Sequence, residues 1–167
     1  MIDTVGGVVA LGPGIDLDLG AIAKGDAADR ACQILAPVAP CLVNVGGDIA
    51  VGGRRPASWP VGLATPGEQI VLELTRGALA TSGTDRRRWR RAGEDVHHAI
   101  CPGSGRSAAT DVLRATAVAA SGAEADALAT ALVVAGYEDA GELARRWGVP
   151  AVVVAVDGRC QRVGGLR

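Results

Sequence analysis

The near absence of aromatic residues is the strongest constraint on how this chain can fold. Its 167 residues include three Trp, one Tyr and no Phe, so the interior has to be assembled from Ala, Val, Leu and Ile. A single domain of that length buries about 70% of its extended-chain surface, enough for a real core without disulfide or metal support. With 49% hydrophobic and 21% charged residues the chain belongs with globular proteins and not with disordered ones. Gly, at 24 residues, falls in short pairs and not in a linker, and no internal repeat is visible, so residues 1–167 are expected to form one domain. A function that stacks several rings on aromatic side chains, such as single-strand nucleic-acid binding, is disfavoured by the same count.

Charge adds little. Seventeen basic and 18 acidic residues leave a net −1, which gives no electrostatic footprint for DNA or an anionic membrane. Arg86, Arg87, Arg88, Arg90 and Arg91 surround Trp89. In a hairpin loop of a neutral chain they read as a solvated face, and no nucleic-acid partner is expected. Cys32, Cys41, Cys101 and Cys160 contain no CxxC pair, so zinc and iron–sulfur sites are disfavoured and four buried free thiols are expected. No segment reaches the roughly 18 consecutive apolar residues of a membrane span. The opening MIDTVGGVVALGPG has neither the basic start nor the cleavage site of a signal peptide, so the chain as written is expected in the cytoplasm.

Hydrophobic periodicity gives the elements. GVVALG at 7–12 reads as a strand bounded by Gly, and Ala21, Ala28, Cys32 and Leu35 recur at helical spacing over 19–36, ended by Pro37 and Pro40. CLVNV at 41–45 and IAVGG at 49–53 form a hairpin around the turn Gly46-Gly47-Asp48. Strands follow at 59–65 and 69–75 around Pro66-Gly67, and a loop covers 53–58. ALATSG at 78–83 and DVHHAICP at 95–102 are expected to pair across the polar Arg-rich stretch, and 112–121 is a further strand. Helices are expected at 123–135, closed by Gly136, and at 138–147, before a last hairpin around Asp157-Gly158. The helices are segregated and do not alternate with strands, which makes the class α+β, a largely antiparallel or mixed sheet with a few helices packed on it.

Three places could carry chemistry. Asp126 and Thr130 stand i,i+4 on one helix face and offer two hard oxygen ligands among Ala and Leu, a set that suits Mg²⁺. The competing structural reading makes Asp126 a helix-dipole partner and has Thr130 bonding back to a carbonyl. Asp18, small residues and Lys24 open the first helix, whose free amides could hold a phosphate with the Lys as a point charge; alternatively Asp18 is an N-cap and Lys24 is solvated. His97 and His98 on a strand point to opposite faces, so only one imidazole can face a site.

Five segments in order bring these places together: DLGAIAKGDAAD at 18–29, LVNVGGDI at 42–49, ALATSG at 78–83, HHAICPGSG at 97–105 and ADALATAL at 125–132. In that order they resemble the FAD:protein FMN transferase (ApbE) family of flavin-handling, Mg²⁺-dependent enzymes, over nearly the whole chain from residue 7. The resemblance implies that Asp18, Lys24 and the backbone at Ala99 contact the flavin nucleotide. It implies Mg²⁺ bound by the Ala21 carbonyl and by the side chains of Asp126 and Thr130, with His98 near the transfer site. The reaction implied is attack of a Thr or Ser hydroxyl of an acceptor protein on the FMN-side phosphorus of FAD, with AMP leaving. Either His98 or Asp126 takes the hydroxyl proton.

If water replaces the hydroxyl, the same site is an FAD pyrophosphatase; a non-catalytic flavin- or nucleotide-binding remnant is the alternative of another class. The chain departs from the family where Cys101 replaces an acid and where Asp26 stands in place of a common aromatic. Family members are also longer, with an N-terminal part that supplies ring-binding aromatics. The expectation is therefore a metal and pyrophosphate half-site, completed by a homo-oligomer or a complementing chain.

Overall fold

A computed structural model describes every residue except Met1, Thr4, Arg55, Pro56, Glu68 and Arg167. The short strands β1 (Ile2–Asp3) and β2 (Val8–Val9) pair with each other and precede helix α1 (Ala23–Leu35). Two hairpins follow, β3 (Cys41–Val45) with β4 (Asp48–Gly52) and β5 (Trp59–Ala64) with β6 (Gln69–Leu74). After β7 (Ala78–Gly83) come two small hairpins, β8 (Arg88–Arg91) with β9 (Glu94–His97) and β10 (Ile100–Cys101) with β11 (Arg106–Ser107). Strand β12 (Val112–Ala119), helices α2 (Gly122–Ala135) and α3 (Tyr137–Trp147), and the hairpin β13 (Ala151–Ala155) with β14 (Cys160–Val163) complete the chain.

Side-chain alternation decides the layering. The central sheet has the order β14-β13-β12-β7-β4-β3, antiparallel throughout, which is the α+β arrangement the sequence implies. On one face Ala78, Ala80, Ala115, Ala117, Ala151, Val153 and Ala155 pack against the helices. On the other, Ile49, Leu79, Val152 and Val154 meet Val61, Leu63, Ile70, Leu72 and Leu74 of the β5–β6 hairpin. Each fully buried Val or Leu contributes about 1.5–3 kcal/mol, so this second layer is held by the apolar alternation of its own two strands. Opposite Ala78 and Ala80 the register sets Ala119 and Ala117, and this floor of small residues lets α2 lie close to the sheet. That is how a chain without Phe fills its interior: the layers come nearer and the side chains stay small.

The helix starts are tied to other elements. Asp29 of α1 accepts from Gly122 N–H at 2.7 Å and Ala123 N–H at 3.1 Å, and Ser121 accepts from Glu124 N–H at 3.3 Å, so α2 is capped by its own residue and by its neighbour. Asp111 accepts from Tyr137 N–H at 2.8 Å at the start of α3. No helix among the described residues is long and apolar enough to cross a membrane.

Several sequence expectations are corrected. Helix α1 starts at Ala23, four residues later than its apolar spacing suggests, because the Asp18 carboxylate takes the Gly20 N–H at 2.7 Å and holds residues 18–20 in a turn. The strand at 7–12 contracts to Val8–Val9, with Gly7 and Gly14 at φ 64° and 73° on either side. The 78–83 segment does not pair with 95–102; it lies inside the sheet between β12 and β4. The Arg-rich stretch is itself a strand that folds back onto β9 through Ala92-Gly93, with φ of 49° and 87°, the signature of a primed hairpin turn. Asp48 is not a turn residue but the buried first residue of β4. The loop expected at 53–58 includes Arg55 and Pro56, which lie outside the described residues. Of the four thiols only Cys32 is buried, Cys41 and Cys101 are half-buried, and Cys160 is exposed on edge strand β14.

Candidate functional site

The close approach of α1 and α2 fixes the centre of the site. Lys24 stands in the first turn of α1 and Asp126 in the second turn of α2, with Asp48 opening β4 beneath them. The Lys24 ammonium bonds to Asp48 Oδ2 and lies 3.3 and 3.2 Å from Asp126 Oδ1 and Oδ2. Asp126 Oδ2 also receives the Gly25 N–H at 3.4 Å, and Asp48 Oδ1 receives the Thr81 N–H at 3.4 Å. Both carboxylates are buried, at 0% and 1% exposure, and share one ammonium whose side chain is 29% exposed to the cleft. Burial pushes the Asp48 carboxyl upward, the Lys24 bond pulls it back, and the charge of Asp126 raises it again.

A cleft of about 620 Å³ opens above this cluster between the sheet, the β5–β6 hairpin and the loops at 18–21 and 98–100. Asp18, Ala21, Lys24, His98, Ala99, Asp126 and Thr130 all line it, so the residues singled out from separate segments share one cleft. Their local settings differ from the competing structural readings. Asp18 does not cap α1, whose N-cap is Ile22 without a side-chain bond. Lys24 is not a solvated side chain, being held by two carboxylates. Thr130 Oγ1 lies 2.8 Å from Ser82 Oγ, so its hydroxyl faces the sheet. Cys101 is not among the residues lining the cleft.

The two imidazoles separate, but not by strand alternation, because β9 ends at His97 and His98 lies in the bend that follows. His97 is buried, and its Nε2 lies 3.0 Å from the Ala108 carbonyl oxygen. His98 lines the cleft, half-buried, and the Nδ1 atoms of both rings are buried without a protein partner. Burial, and then the charge of Arg87, hold the His98 imidazole below its usual 6.5, so its neutral form is favoured near neutral pH. At the rim Arg114 reaches Asp85 at 3.1 and 2.5 Å and the Ala64 carbonyl at 3.1 Å, fastening the hairpin layer to the sheet.

The oxygen donors fit Mg²⁺. Asp126 and Thr130 supply a carboxylate and a hydroxyl, both hard ligands, and Ala21 carries a carbonyl on the turn before α1. Because Gly25 N–H is directed to Asp126, no hydrogen bond among the described residues closes the first helical turn on the Ala21 carbonyl. Two buried carboxylates against one ammonium leave a net negative charge that a small cation can balance. Among the described residues no group of three or more His, Cys, Asp or Glu is placed to hold a metal ion, so the donor set rests on Asp126 with a hydroxyl and a carbonyl.

Three residues escaped the sequence reading. Asp48 reads as part of the Gly46-Gly47 turn, although an acid opening an apolar strand is a usable signal. Ser82 bonds to Thr130, and Asp29 caps α2; their partners lie 48 and 93 residues away, so local spacing carries no trace of either contact.

An FAD:protein FMN transferase of Treponema pallidum is 37% identical over 171 residues, covering 92% of this chain and 47% of that protein. One of Rhodobacter capsulatus is 39% identical, covering 87% of this chain and 29% of that protein. The chain thus spans about half the length, or less, of these curated relatives. Among solved structures, the ApbE protein of Thermotoga maritima superposes with a TM-score of 0.83 at 32% identity, over 97% of this chain and 56% of that one. The apo flavinyl transferase ApbE of Pseudomonas stutzeri gives 0.75 at 31% identity, over 87% of this chain and 49% of that one. A profile of the ApbE family matches residues 2–153, and with the five segments falling around one cleft this chain belongs to the ApbE family.

Proposed function

We propose that the chain is an FAD:protein FMN transferase whose cleft handles the pyrophosphate of FAD and transfers FMN to a Thr or Ser hydroxyl of an acceptor protein. The observation that carries this reading is the convergence of Asp18, Ala21, Lys24, His98, Ala99, Asp126 and Thr130 on one cleft. The relatives that bear this activity in their names are about twice as long or longer, so turnover by residues 1–167 as a single domain is part of the proposal.

Asp126, Thr130 and the Ala21 carbonyl would hold Mg²⁺, which when bound supplies positive charge to a phosphoryl group under attack. The remaining work falls to the protein. Lys24 presents an ammonium, tethered by Asp48, to the negative charge of the pyrophosphate. Asp18 and the backbone at Ala99 orient the nucleotide along the cleft. The acceptor oxygen bonds to the FMN-side phosphorus as the bond from that phosphorus to the AMP oxygen breaks. The hydroxyl proton passes to His98, whose neutral imidazole is favoured by burial, or to Asp126. AMP departs and FMN remains on the acceptor as a phosphoester. Water in place of the acceptor makes the same site an FAD pyrophosphatase.

The test is AMP release from FAD with Mg²⁺, with and without an acceptor bearing a Thr. Asp126→Ala is expected to abolish metal-dependent release; unchanged release would remove Asp126 from the metal site.

A further inference from the structure

Asp48 is a fully buried carboxylate that the reaction above uses only as a tether for Lys24, and the tether has a consequence for metal binding. Its Oδ1 is engaged by the Thr81 N–H at 3.4 Å, and its Oδ2 takes the Lys24 ammonium. The same ammonium lies 3.3 and 3.2 Å from the two oxygens of Asp126. An ammonium so close to both oxygens competes for their lone pairs with any cation that needs them. In a desolvated setting the attraction between opposite charges a few ångströms apart is strong, so a lysine facing Asp126 alone would neutralise it. Asp48 offers that lysine a second anchor.

The charges point the same way. Asp48, Asp126 and Lys24 sum to −1, and a divalent cation takes the cluster to +1. With Asn in place of Asp48, the cluster starts at zero and the cation takes it to +2 beside two buried side chains. We propose that Asp48 is a positioning residue that retains the Lys24 ammonium when a divalent cation takes the Asp126 carboxylate, so that lysine and cation occupy the site together. The inference rests on the reading of Asp126 as a metal ligand.

Calorimetric titration of the full chain with Mg²⁺, without FAD or acceptor, tests it. Asp48→Asn weakens Mg²⁺ binding by on the order of tenfold, the scale of losing a supporting residue around a metal site. Adding Lys24→Met to that variant removes the competitor and restores most of the affinity. Asp48→Asn binding as tightly as the parent overturns the proposal, as does a double variant no tighter than Asp48→Asn, which would mean that Asp48 acts on the cation directly. A parent chain that does not bind Mg²⁺ overturns it as well.

Should circular dichroism show Asp48→Asn to be unfolded, Lys24→Met alone carries the test. It must bind Mg²⁺ more tightly than the parent, and equal or weaker binding overturns the proposal. AMP release plays no part in this titration, so metal binding and flavin transfer can fail separately.

Discussion

Gly25 of α1 and Gly122 of α2 meet backbone to backbone: a Cβ on Gly25 would lie 2.0 Å from the Gly122 carbonyl oxygen, and one on Gly122 would lie 2.5 Å from that of Gly25. Lys24 precedes the first of these glycines and Asp126 follows the second by one helical turn. The contact that only glycine permits is therefore what sets the ammonium beside the carboxylate.

Gly25→Ala is expected to force the two helices apart, at about 1–3 kcal/mol or more for an overpacked site against rigid backbone. Urea unfolding followed by circular dichroism reads this as a lower midpoint. A midpoint equal to the parent's would show that the helices can separate freely.

Asp29→Ala removes the carboxylate that receives Gly122 N–H and Ala123 N–H, and should cost about 1–2 kcal/mol, the upper range for a lost N-cap. Asp29→Asn keeps one acceptor oxygen and should lose less. Equal losses in the two variants would contradict the cap.

These contacts mark the limit of what the sequence discloses. The two-residue alternation of β5 and β6 is readable because one face of each strand is buried, and the apolar run of β13 because both of its faces are. The common cleft is readable because five segments keep their order. The boundary of α1 is not readable, since the apolar spacing runs on into a turn governed by Asp18. Nor are the pairs Lys24–Asp48 and Ser82–Thr130, which join residues 24 and 48 positions apart through the tertiary fold. Arg88 to Arg91 look like a loop because all four side chains are exposed, yet the primed turn at Ala92-Gly93 makes them a strand.

His98 should titrate below 6.5, because burial and then the Arg87 charge disfavour its imidazolium. The unfolded chain then binds the proton more tightly than the folded one. The stability this residue contributes is complete above about pH 6.5 and is lost as pH falls towards the lower folded value. NMR titration of the ring checks the direction, and a midpoint at or above 6.5 would contradict it.

Asp85 behaves as the acidic counterpart. Burial alone would raise its carboxyl, but the bonds and charge of Arg114 outweigh burial and hold it below 3.8. Its contribution is present above that value and is lost as pH falls through the depressed folded one. Arg114→Ala removes this ion pair and the bond to the Ala64 carbonyl together, so amide exchange in β5 and β6 should quicken. Unchanged protection there would show that apolar packing alone holds the hairpin.

The proposed activity is the splitting of FAD in this cleft and the passage of its FMN to a protein hydroxyl. The most direct measurement incubates the chain with FAD, Mg²⁺ and a Thr-bearing acceptor protein, and follows AMP by chromatography and flavin on the acceptor by mass spectrometry. AMP and covalent flavin are expected together, with AMP at least equal to the flavin bound, and both are lost in Asp126→Ala. Absence of both with Mg²⁺ and acceptor present would contradict it.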